Sequence, residues 1–172
     1  MALFESLRAI YDPYNYTRKV VGFDTYDGYQ SASIKDGSSD LVKENQYSVP
    51  AEYIDYLQKV LAFHQNENTL PHKTKFELVK GDATETVHEY LESNPHTMIS
   101  LAYFDMQHYE PTKACLEAIK PYLVRGALIA MDEINNEDFP GETVAFHDVF
   151  GFDKFEIFKS EYLPDRSYLI YD

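Results

Sequence analysis

Thr97-Met98-Ile99-Ser100-Leu101-Ala102-Tyr103-Phe104-Asp105 and Ala127-Leu128-Ile129-Ala130-Met131-Asp132-Glu133-Ile134-Asn135 are two apolar runs, each stopped by acid. Between them Pro111 to about Leu123 carries a helical pattern, and Arg125-Gly126 breaks it. The stretch reads as strand, helix, strand. Strands apolar at nearly every position are buried on both faces, and a helix of about three turns is the usual right-handed crossover between parallel neighbours. Asp105 and the Asp132-Glu133 pair are then expected at the carboxyl ends of adjacent strands, the edge at which open α/β sheets bind ligands.

An acid that ends one strand also serves to cap the next helix or to face water, so Asp105 alone carries little. Three carboxylates brought to one edge repel each other, and the arrangement is costly unless a cation neutralises it. Hard oxygen donors favour Mg²⁺ or Ca²⁺. The expectation is a divalent metal held by Asp105, Asp132 and Glu133.

With 172 residues the chain is long enough for one domain with a sizeable core, and 1–172 is read as a single domain. Its 15 basic against 29 acidic residues leave a net charge of −14 spread along the chain, which repels phosphate backbones and anionic lipid. Nucleic acid and membrane are therefore not expected as partners. The single cysteine, Cys115, falls in the helical pattern and reads as a small core residue. No apolar run reaches the length of a membrane span, and the first residues open an amphipathic helix, so the cytoplasm is the expected location. The 15 Tyr and 11 Phe read mostly as core and rim packing, with a minority left to line a cleft.

From the amino end, Leu3, Phe4, Leu7 and Ile10 define one face of a short helix ended by Asp12-Pro13. Arg18 to Phe23 is a strand that stops at Asp24, before the turn Thr25-Tyr26-Asp27-Gly28. In dinucleotide-type folds an acid there binds ribose hydroxyls about 20 residues after a glycine-rich loop; the alternative is an acid that starts a turn. No glycine precedes Gly22, so the fold is expected to lack its first strand and that loop. Residues 29–49 show no sustained period, as in a lid or binding loop. Ser48 is a candidate cap for a helix running to about His64. Lys75 to Lys80 is a third strand, closed by Gly81-Asp82-Ala83, where Asp82 either accepts from a bound base or caps the helix from Thr84 to Leu91. Glu142 to Phe150 is a helix, and the strands Phe155–Lys159 and Ser167–Tyr171 suggest an antiparallel addition to the sheet.

Val21-Gly22-Phe23-Asp24-Thr25-Tyr26-Asp27-Gly28-Tyr29, Lys80-Gly81-Asp82, Tyr103-Phe104-Asp105-Met106-Gln107-His108-Tyr109-Glu110-Pro111-Thr112 and Met131-Asp132-Glu133 together resemble the class I S-adenosylmethionine-dependent methyltransferases. More narrowly they resemble the macrocin O-methyltransferase family, which includes deoxyhexose 3-O-methyltransferases. The resemblance implies a Rossmann-like α/β three-layer sandwich whose mostly parallel sheet ends in an antiparallel strand, truncated at its amino end. It implies that Asp24, with Thr25, binds the cofactor ribose and that Asp82, with Ala83, approaches the adenine. It implies Mg²⁺ on Asp105, Asp132 and Glu133, with Asp105 a catalytic candidate, and a sugar or nucleotide-sugar acceptor; His108, just after the metal strand, reads either as a catalytic base or as a surface histidine beside a helix start. The family has a second acid where this chain has Gln107, and its sheet order is 3-2-1-4-5-7-6, so losing strand 1 opens the middle of the sheet. An open edge invites pairing, and a homo-oligomer is among the expectations. The alternative to the enzyme is a noncatalytic methyltransferase-like domain kept for binding or assembly.

Overall fold

The computed structural model describes residues 1–29, 32–40 and 47–172. Its elements group into two compact units, Met1–Asp27 with Ser48–Asp82, and Gly28–Tyr47 with Ala83–Asp172. Each is described by itself.

The first unit is a parallel pair with two helices. β1 (Val20–Asp24) pairs with β2 (Phe76–Lys80) from Val20 opposite Phe76 to Asp24 opposite Lys80. The crossover is α2 (Tyr53–Asn66). Ser48 does not cap it: Glu52 stands at the cap position, makes no side-chain capping bond, and sits in a turn closed from Tyr53 N–H to the Pro50 carbonyl. α1 (Ala2–Tyr11) reverses the face expected of it, since Leu3, Leu7 and Ile10 are exposed while Glu5 and Arg8 are buried. Met1 sets the rotation. Its sulfur lies over Gly22, where a Cβ would overlap it, and Glu5 and Arg8 follow Met1 on one helical stripe. The two buried charges satisfy one another through paired bonds of 3.2 Å from Nε and Nη2 of Arg8 to the Glu5 carboxylate. Lys75, fully buried ahead of β2, donates its Nζ to the Thr69 carbonyl at 2.7 Å.

The second unit carries a four-stranded sheet in the order β3-β4-β6-β5, built from β3 (Ile99–Phe104), β4 (Leu123–Met131), β5 (Ile157–Lys159) and β6 (Ser167–Tyr171). α3 (Ala83–Ser93) packs on α4 (Tyr109–Ile119), the crossover between parallel β3 and β4, and α4 packs on α5 (Pro140–Phe150). β6 runs antiparallel to both its neighbours and lies between β4 and β5, which confirms the antiparallel addition and places the last strand inside the sheet. Arg125-Gly126 does not separate helix from strand; both residues lie within β4. The pairing there jumps from Ile99 opposite Leu123 to Leu101 opposite Leu128, and Gly126, at φ 85°, takes the left-handed conformation the bulge requires.

β3 is less enclosed than its composition suggests. Leu101 and Tyr103, two residues apart on one face, are 45% and 41% exposed, and among the described residues β3 is an edge strand of its sheet. The core of the unit lies under β4 and β6, where Leu116, Ala127, Ile129, Ala145, Phe146, Phe150 and Leu169 are essentially inaccessible. Cys115 is buried there as expected, its Sγ 3.5 Å from the Ala83 carbonyl. Among the described residues no helix is long and apolar enough to cross a membrane.

Candidate active site

Parallel pairing brings Asp24 and Asp82 to one edge of the first unit. Asp24 closes β1 opposite Lys80, and the Gly81 N–H donates to the Asp24 carbonyl at 3.0 Å, so Asp82 follows beside the end of β1. The Asp24 carboxylate accepts the Tyr26 N–H at 2.7 Å. This local bond lets Tyr26 hold a left-handed φ of 62° and start the turn. Thr25 supports the same turn, its hydroxyl accepting the Asp27 N–H at 3.2 Å. Tyr26 is buried with its ring 6.3 Å from Tyr53, and burial, then Asp24 and Tyr53, raise its hydroxyl above the ordinary value. Asp24 and Asp82 themselves stay exposed.

The edge of the second unit gathers four acids, one more than the sequence indicated. β3 and β4 end in register, Phe104 opposite Met131, and the Asp132 N–H donates to the Phe104 carbonyl at 3.1 Å, so Asp105, Asp132 and Glu133 emerge together. The fourth is Glu142, on the first turn of α5 and fully buried. One of its oxygens accepts the Glu133 N–H at 3.0 Å and the other the Gln107 N–H at 3.4 Å, which ties the two strand ends together. Burial pushes its carboxyl up to about 7; the two N–H groups oppose the rise, and the charges of Asp132 and Asp105 add to it. Its one legible signal was an acid in the first turn of a helix whose middle, Val144-Ala145-Phe146, is apolar.

Each of the other acids has a distinct partner. Gln107 donates Nε2 to Asp105 at 2.5 Å and accepts the Tyr29 hydroxyl on Oε1 at 2.8 Å. The amide that departs from the family's acid thus links a tyrosine of the 28–47 segment to Asp105. Burial, followed by the charges of Tyr47, Asp105, Glu133 and Glu142, raises the Tyr29 hydroxyl strongly, so it acts as a donor. Asn136 Nδ2 donates to Glu133, whose carboxyl is raised by burial, despite that bond, and by Asp132, Asp165 and Asp105. Asp132, 6% exposed, is held by Arg166 and by the Tyr103 hydroxyl at 2.5 Å. Burial drives that hydroxyl up to about 12, with Arg166 opposing and Asp132 adding to the rise.

Among the described residues, no three His, Cys, Asp or Glu side chains are arranged to hold a metal ion. The donors are of the right kind, but Asp132 is turned onto a guanidinium. His108 is buried at 3% exposure, its ring 4.3 Å from that of Tyr29. Ala83 begins α3 and is buried beneath Cys115. Of the 29–49 loop read as a lid or binding loop, Gln30, Ser31 and residues 41–46 lie outside the described residues. In its described part Asp36, 1% exposed, accepts the Ser33 N–H at 2.6 Å and the Tyr109 N–H at 2.5 Å, closing the amino end of α4.

No curated protein sequence matches the chain. Among solved structures, a calicheamicin methyltransferase, CalS11, is 42% identical over 98% of this chain and 66% of its own, with a TM-score of 0.95. An apo structure of CalS11, described as a TDP-rhamnose 3′-O-methyltransferase of calicheamicin biosynthesis, is 40% identical over 98% and 65%, with a TM-score of 0.83. The O-methyltransferase NovP, 17% identical over 99% and 66% with a TM-score of 0.69, shares the fold. The chain spans just under two thirds of the length of these structures. Taken separately, the two-stranded sheet fits strands 3-2 and the four-stranded sheet strands 4-5-7-6 of the class I methyltransferase order, and the fold is of that class. Residues 5–134 match the methyltransferase domain family, and on that match and the 42% identity to CalS11 the chain belongs to it.

Proposed function

We propose that the chain is the methyltransferase-like domain of an S-adenosylmethionine-dependent O-methyltransferase acting on a hydroxyl of a deoxysugar, carried as a nucleotide sugar. The observation that carries this reading is the 42% identity, sustained over 98% of the chain, to a TDP-rhamnose 3′-O-methyltransferase. The acids at the ends of β1 and β2 and those at the ends of β3 and β4 support it, because both groups stand at carboxyl edges of parallel strands.

In this reading Asp24 accepts from the ribose hydroxyls, with Thr25 shaping the turn, and Asp82, followed by Ala83, faces the adenine amine. The acceptor oxygen attacks the sulfonium methyl, the carbon–sulfur bond breaks, and S-adenosylhomocysteine leaves neutral at sulfur. The hydroxyl proton goes to a carboxylate, and Asp105 is the one presented by Gln107 and Tyr29. His108 is the second candidate for the proton, and its burial against Tyr29 requires that segment to move first. A divalent cation, Mg²⁺, belongs to the same reading, held by Asp105, Asp132 and Glu133 once Arg166 releases Asp132. Bound there, it would lower the pKa of the acceptor hydroxyl. Cytoplasmic location, and self-association through an open strand edge, complete the proposal.

The test is methyl transfer from radiolabelled S-adenosylmethionine to TDP-rhamnose by the purified chain, alongside calorimetric titration of the cofactor. Binding with label in the sugar supports the enzyme. Binding without transfer to any nucleotide sugar favours the noncatalytic alternative, and no binding rejects both the cofactor and the activity.

A further inference from the structure

β6 runs antiparallel to β4 with Ser167 opposite Met131, so the residue before β6 meets the residue after β4. Register alone delivers Arg166 to Asp132. The contact is two-pronged: Nη2 donates to Oδ2 at 3.1 Å, and Nε lies against Oδ1. Tyr103 completes it, donating to Oδ1 at 2.5 Å and accepting the Arg166 Nε–H at 3.2 Å. A carboxylate this buried needs a counter-charge, and Arg166 supplies it. Asp105 and Glu133 are met instead by neutral amides, from Gln107 and Asn136. Arg166 is thus a positive charge held at this edge, and it engages both oxygens of Asp132.

We propose that Arg166 is a built-in competitor for the divalent cation, occupying Asp132 until the ion displaces it. The inference rests on the cation reading given above. The Arg166 side chain is 38% exposed, so it has water to move into, whereas that of Asp132 is only 9% exposed and needs a cationic or hydrogen-bonding partner. A guanidinium is weakly hydrated and spreads its charge, while a divalent ion concentrates twice that charge on oxygen ligands. Exchange is thus a trade of one partner for a stronger one, and its cost weakens the ion's apparent affinity.

The test is Mn²⁺ binding, read from loss of the free-ion electron paramagnetic resonance signal, for the wild-type chain, Arg166→Gln, and Arg166→Gln combined with Asp105→Asn. Arg166→Gln is expected to bind Mn²⁺ about tenfold more tightly than wild type, and the added Asp105→Asn to cancel the gain. Equal or weaker binding by Arg166→Gln, or binding by neither, overturns the proposal. A second measurement needs no variant: the ¹⁵N resonance of the Arg166 Nε–H in the wild-type chain is expected to move toward that of a free arginine as Mg²⁺ is added. An unmoved Arg166 signal while the resonances of Asp105 and Glu133 shift overturns it. S-adenosylmethionine binding is measured in parallel; its loss counts against the methyltransferase reading and leaves the Mn²⁺ comparison standing.

Discussion

Asp36 accepts the N–H of Tyr109 at 2.5 Å across 73 residues, so the amino end of α4 is capped by another segment and not by its own neighbour His108. The acid stands where the helix dipole is positive and also holds Ser33. Asp36→Ala is expected to lower folding stability by about 1–2 kcal/mol, and Asp36→Asn by less, read as the urea midpoint at constant slope. Gly141→Ala is the companion test. A Cβ there would fall on the Asp36 carboxylate and crowd the Tyr109 nitrogen, so the helix cap and α5 must part.

Glu142 makes stability depend on pH. Its folded-state carboxyl sits at about 7, above the 4.5 of an unfolded glutamate, so its contribution is complete below pH 4.5 and lost as pH rises through 7. The full effect is roughly 3 kcal/mol, at most, between those limits. Guanidinium unfolding at pH 5 and pH 8 is expected to show the chain more stable at pH 5, with a clearly smaller difference in Glu142→Gln. An unchanged difference would assign the slope to other groups, Glu133 first.

Gln107→Glu restores an acid where the family has one. It places a second carboxylate against Asp105 and keeps an acceptor for Tyr29. The like charge is expected to lower the melting temperature at pH 8 by several degrees, and added Mg²⁺ to recover more of the loss than in wild type. Indifference to Mg²⁺ in both proteins would speak against a cation at this edge.

Asp24 separates turn from ligand. Asp24→Asn keeps an oxygen for the Tyr26 N–H and is expected to leave stability within about 0.5 kcal/mol, while Asp24→Ala costs about 1 kcal/mol. Both are expected to weaken S-adenosylmethionine about tenfold or more in calorimetry, since the charged acceptor is gone in each.

Much of each of the two acidic edges was legible in the order of residues because strands that end in acids need only their pairing to bring those acids together. Asp24 with Asp82, and Asp105 with Asp132 and Glu133, are adjacent for that reason. What escaped depends on partners remote in sequence. Arg166 reaches Asp132 through an antiparallel register no local pattern displays, and Glu142 binds two backbone N–H groups from other elements. The apolar face of α1 misled because Met1 packs on Gly22, which turns the charged stripe inward. In the sequence Gln107 is a lost charge, and only the fold makes it the link between Tyr29 and Asp105.

The placement of β6 between β4 and β5 has an evolutionary side. A parallel strand offers the carboxyl edge only the residues that follow it, but one reversed strand offers the residues that precede it. Selection can therefore retune the electrostatics of this edge by altering the short stretch ahead of β6, leaving the acids after β3 and β4 untouched.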